Sequence, residues 1–169
     1  MHINDVHDYS ADGHKPVWLR DEFIAEGLIF DVPAVPVAQP RQRHRIATTV
    51  DGKAYSRNYV DGKHPVRAFR SACQHSASQV YAGPPLRDAL RLTLTFVMPR
   101  PNAMIWKTKP MPHCTHTKRH DVDNLAKAVN DALSKLVWHD DSQIAQLEAT
   151  KVIAAGDEQP HVRVKVEVI

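Results

Sequence analysis

Four acidic residues and a lysine stand out by type and spacing. Asp121 and Asp123 open a run of helical periodicity, Lys127 follows one turn after Asp123, and Asp140-Asp141 comes just after the run ends. Aspartates at a helix start can cap exposed N–H groups and are favoured there by the helix dipole. Residues four apart share a helix face, which brings Lys127 alongside Asp123. A turn after the helix could return an aspartate of the 140–141 pair toward the first two. Three converging carboxylates suit a hard divalent cation that prefers oxygen ligands and keeps waters. Such an ion polarises a phosphodiester and lowers the pKa of a bound water, while a neighbouring lysine can stabilise developing charge. A plainer account uses the same residues. Asp123, Lys127, Asp131 and Lys135 form an i,i+4 series of alternating charge, which can be a solvated, salt-bridged helix face. On that account Asp121 is an N-cap and Asp140-Asp141 a turn.

The charge distribution adds a partner. The 169-residue chain carries a net charge of only +3, but the charges are segregated. Residues 1–40 hold two basic and seven acidic residues, residues 41–120 fifteen basic and three acidic, and residues 121–169 five basic and nine acidic. A middle block with a net charge of +12 would attract a polyanion, although a solvated basic surface is the alternative. Arg41, Arg43 and Arg45, with Lys118 and Arg119, are the candidates for phosphate contacts. Trp106 and Trp138 could stack on exposed bases, although Trp138 reads more readily as a core or interface anchor. His113, Cys114, His116 and His120 lie close together, but their spacing matches no common zinc pattern.

The elements that position these residues follow from periodicity. Leu28–Val37 is expected to hold a short edge strand, limited by Pro33 and Pro36. Arg45–Val50 and Lys53–Arg57 flank Asp51-Gly52, a hairpin signal. Helical spacing of Val66, Phe69, Cys73, Ala77 and Val80 predicts a helix from Pro65 to Tyr81, stopped by Gly83-Pro84-Pro85. Ala89–Met98 alternates as a strand, Pro99–His120 is a loop, and Asp121–Val137 is a second amphipathic helix. Ile144–Ile153 and the alternating valines from Val162 to Val168 complete the set as strands. This order predicts an α+β domain, with one mixed or antiparallel sheet and two main helices packed against it. Residues 1–27 read as an N-terminal extension and 28–169 as the folded domain. No apolar run approaches the ~20 residues of a membrane span. The N-terminus lacks a signal-peptide core, and two cysteines make no disulfide framework, so the expected location is cytoplasmic.

The stretch Asp121-Val-Asp-Asn-Leu-Ala-Lys127, then Asp131-Ala-Leu133, then Asp140-Asp-Ser-Gln-Ile144, resembles the signature of RusA-type Holliday junction resolvases. Pro36–Arg45 resembles the basic entry segment of that family in degenerate form, and His120 stands where many members have proline. The resemblance implies a homodimeric, Mg²⁺-dependent endonuclease, with Mn²⁺ an acceptable substitute and no small-molecule cofactor. Such an enzyme places paired nicks in four-way DNA junctions and leaves 5′-phosphate and 3′-hydroxyl ends. It implies Asp121, Asp123 and Asp141 as metal ligands and Lys127 as the catalytic lysine. A non-catalytic module that holds branched or single-stranded nucleic acid is the rival function.

Overall fold

The computed structural model describes residues 27–40, 43–48, 51–52, 54–59 and 62–169, with 43–48 and 54–59 described by backbone alone. Five strands form one mixed sheet in the order β1-β7-β4-β6-β5. They are β1 (Leu28–Val32), β4 (Leu90–Met98), β5 (Cys114–Thr115), β6 (Ile144–Ile153) and β7 (His161–Val168). A separate antiparallel pair, β2 (Arg43–Thr48) and β3 (Ala54–Tyr59), flanks the Asp51-Gly52 turn, where Gly52 has a φ of 77°. Two helices, α1 (Val66–Val80) and α2 (Val122–Leu133), complete the α+β architecture. Of the expected extension only Gly27 is among the described residues. No helix of the described residues is long and apolar enough to cross a membrane.

Strand alternation decides which face is covered. Leu90, Leu92, Leu94, Phe96 and Met98 of β4, Val162, Val164 and Val166 of β7, and Leu28, Phe30 and Val32 of β1 are buried in one apolar cluster. Val66, Phe69, Cys73 and Ala77 of α1 and Leu125, Val129 and Ala132 of α2 close over it. The opposite face is polar and carries ion pairs such as the two-pronged contact of Arg163 with Asp31. Burial lifts the Cys73 thiol pKa to about 12, so this side chain acts as packing.

β1 pairs with β7 and β7 with β4 in antiparallel fashion, whereas β4 and β6 run parallel. The chain leaves the end of β4, passes through the 99–120 loop, descends α2 and re-enters the sheet beside the start of β4. The sheet is thus mixed. Two expectations change in detail. The second helix stops at Leu133 rather than Val137, because Lys135 adopts a φ of 69° and donates its N–H to the Trp138 carbonyl. That tight turn swings Val137 and Trp138, both 0% exposed, into the core. The 99–120 loop also contains a single 3₁₀ turn, Asn102–Met104, and the short β5.

The core depends on β4, which lies at the centre of the sheet order. Phe96→Ala should cost about 3–5 kcal/mol. In a domain of this size that lowers the melting temperature by roughly 2–4 °C per kcal/mol, measurable by calorimetry.

Candidate active site

α2 begins at Asp121, an N-cap residue in extended conformation that makes no side-chain capping bond, and Asp123 falls in the first turn. Both are exposed. The positive end of the helix dipole stabilises this pair. Asp121 lines a cavity of about 600 Å³ together with Gln39, His64, Arg119, His120 and Asn124. The wall contributed by 35–40 is pinned by the Gln39 N–H, which donates to the Asn124 carbonyl at 2.8 Å. On the other side, Lys151 near the end of β6 donates its ammonium to the carbonyls of Lys118, at 2.7 Å, and His120. The Arg119–His120 peptide bond is cis. Lys118 and Arg119 are exposed beside the carboxylates, where they can meet phosphates.

Lys127 is one turn further down α2, exposed, and pairs with Asp131 at 3.2 Å. Asp131 also accepts from the Arg70 guanidinium at 2.5 Å, and Arg70 reaches the Gln39 side chain at 2.8 Å. Asp131 is therefore a structural anchor joining α2 to α1 and, through Arg70, to the cavity wall. The charge series does not run unbroken along one helix face. Lys135 lies past the helix end, and its ammonium contacts the His139 carbonyl and Asp140.

Asp140 and Asp141 are at the other end of α2. That helix has 12 residues, or about 18 Å at 1.5 Å per residue. Asp121 and Asp123 are brought together in one chain, and Asp141 does not join them there. Among the described residues no three His, Cys, Asp or Glu side chains are grouped to hold a metal ion.

The two members of the acidic pair have different surroundings. Asp140 caps a 3₁₀ turn over Asp141–Gln143, accepting from the Ser142 N–H at 3.0 Å and the Ser142 hydroxyl at 2.7 Å. The backbone bond from Ser142 is the main reason its pKa falls to about 2, with the Ser142 hydroxyl and Lys135 adding to it. Asp141 is exposed and receives one long contact, 3.4 Å, from the Trp138 indole N–H. Gln143 accepts from the Asp140 N–H and donates to the carbonyls of Leu86 and Asp88, both at 2.9 Å. This glutamine stitches the acidic turn to the segment leading into β4. Sequence reasoning missed that role, although the Asp-x-x-Gln spacing is the signal of a capping box.

Arg41 lies outside the described residues, and Arg43 and Arg45 are described only by the backbone of β2. Trp138 is in the core. His113 pairs with Glu158 at 2.5 Å. Burial and Lys151 lower the pKa of His116.

An oxygen-donor pair at a helix start, walled by cations, suits a protein that works on phosphate esters. A profile of the family described as Endodeoxyribonuclease RusA matches residues 33–167, and the chain belongs to that endodeoxyribonuclease family. It is also 30% identical over 143 residues to the Bacillus subtilis (strain 168) protein YqaN, described as uncharacterized. The match covers 81% of this chain and 93% of that protein.

The depressed pKa of Asp140 makes a signed prediction. A lowered folded pKa adds stability above the unfolded value of 3.8 and loses it as pH falls toward about 2. Thermal melts of the wild type should therefore fall over that window. Asp140→Asn should show a flatter pH profile there, and an identical profile would contradict the capping role.

Proposed function

We propose that the chain is a Mg²⁺-dependent resolvase that nicks four-way DNA junctions symmetrically as a homodimer. Asp121, Asp123 and Asp141 would be its metal ligands, Lys127 its catalytic lysine, and Arg41, Arg43, Arg45, Lys118 and Arg119 its phosphate contacts. Mn²⁺ would replace Mg²⁺. The observation that carries this reading is the exposed Asp121/Asp123 pair beside Lys118, Arg119 and a cavity, within the span matched by the family. When bound, the cation would polarise the phosphodiester and supply a water of lowered pKa. Lys118 and Arg119 would hold the flanking strand, and Lys127 would neutralise charge developing on the phosphorus oxygens. The availability of Asp141 supports it over Asp140, whose carboxylate is already engaged by Ser142.

One chain offers the ion an incomplete donor set at either end of α2, and a two-fold partner would complete it. Among the described residues β6 has an outer neighbour only at Val152 and Ile153, where β5 pairs. Leu147, midway along the remaining edge, is 56% exposed. A second copy pairing antiparallel about Leu147 would bring the partner subunit's Asp141 toward Asp121 and Asp123. Two such sites related by a two-fold axis match the two symmetric nicks that a junction requires.

The test mixes two inactive proteins. Asp123→Asn and Asp141→Asn should each abolish Mg²⁺-dependent nicking of a labelled four-way junction while retaining binding. In a mixed dimer one composite site carries both substitutions and the other carries none. Mixing should therefore restore cleavage of one strand, whereas a site contained in one chain would stay inactive in the mixture.

Lys127→Met should lower single-turnover nicking by on the order of 10²–10³ with little change in melting temperature. A loss within about threefold, well short of that range, would leave Lys127 as the partner of Asp131 alone. Salt-sensitive binding with no nicking by the wild type would favour the non-catalytic module.

A further inference from the structure

The 99–113 segment projects from the same end of the sheet as Asp121, since it starts where β4 ends and returns through β5 beside the end of β6. Several contacts brace it, among them the Gly156 N–H, which donates to the Met111 carbonyl at 2.7 Å, and one side chain makes four of them. The Arg100 guanidinium donates to the carbonyls of Ala154 (2.8 Å), Met104 (3.4 Å), Met111 (3.3 Å) and Pro112 (2.6 Å). The Trp106 N–H adds a contact to the Met111 sulfur at 3.3 Å. Two large apolar residues of this braced loop face solvent, Ile105 at 55% and Trp106 at 43% exposure. Lys107 and Lys109 follow them and are exposed, and no acidic residue occurs between Pro99 and His120.

We propose that Ile105 and Trp106 form a stacking wedge for unpaired or unstacked bases at a DNA branch point, steered there by Lys107 and Lys109. The proposal rests on the reading that the chain acts on branched DNA. A solvent-exposed aromatic beside cations is what a base face and its phosphates together require. Continuous duplex presents no free base face, so the wedge contributes to junctions and not to linear DNA. The lysines act on both alike through phosphate charge. Because Arg100 already orders the loop, binding would need little further immobilisation of its backbone.

The experiment compares affinities of the full chain for a four-way junction and a linear duplex of matched length, in Ca²⁺ to limit cleavage, together with light scattering. Trp106→Ala should weaken junction binding by between about fivefold and a hundredfold, the worth of one base stack. Duplex binding should be unchanged, and Trp106→Phe should recover most of the loss. Lys107→Ala with Lys109→Ala should weaken both DNAs to a similar extent. Trp106→Ala that keeps the wild-type preference for junctions, or weakens both DNAs equally, would overturn the wedge alone. Trp106→Ala that changes the mass in solution would assign the patch to contact between copies and also overturn it. A wild type with no preference for junction over duplex would overturn the branched-DNA reading and the wedge with it.

Discussion

The parallel pairing of β4 with β6 is the constraint on which the site depends. Parallel neighbours cannot be joined by a tight turn, so the chain must cross from one end of the sheet to the other between them. α2 makes that crossing, with its apolar stripe against the sheet and its polar start at the end where β4 finishes. The carboxylates at its N-terminus therefore sit beside the loop after β4, the 35–40 segment and the end of β6. Lys118, Arg119 and Lys151 come from this crossing, while the 35–40 segment and His64 close the cavity from outside it.

The fixing of α2 depends on polar contacts as well as on apolar ones. Asp131 receives Arg70 from α1 and Lys127 from its own helix, so the helix pair is tied at a half-buried point. Arg70 continues to Gln39, and Gln39 is bonded through its backbone to Asn124. A chain of contacts thus runs from the last turn of α2 across α1 and back to the first turn of α2. The position of the Asp121 cavity wall is set through this circuit.

Much of this was legible in the sequence because burial leaves a periodic trace. The alternation in Ala89–Met98 and Val162–Val168 and the apolar spacing of both helices located β4, β7, α1 and α2 closely. The end of α2 was misplaced because Leu136, Val137 and Trp138 continue the apolar pattern after the backbone has left the helix. The turn at Lys135 buries Val137 and Trp138 fully and Leu136 in part instead. The site was legible only as a set of residue types. Spacing along the chain singled out Asp121, Asp123 and Lys127 as candidates, but the position of Asp141 depends on strand direction, which periodicity does not encode. The bracing roles of Arg100 and Gln143 escaped notice because their partners are backbone carbonyls, which leave no mark on side-chain patterns.

The crossing also makes a contiguous signature of 24 residues, from Asp121 to Ile144, into two spatially independent pieces. The Asp-x-Asp half is built against β4's end and the Asp-Asp-x-Gln half against its beginning. The turn between Ser134 and His139 carries Val137 and Trp138 into the core beside Leu86, so a residue gained or lost there would displace core side chains together with Asp141. The residue count between the two halves is thus fixed by how the buried turn packs against Leu86, and not by any contact between the carboxylates of one chain.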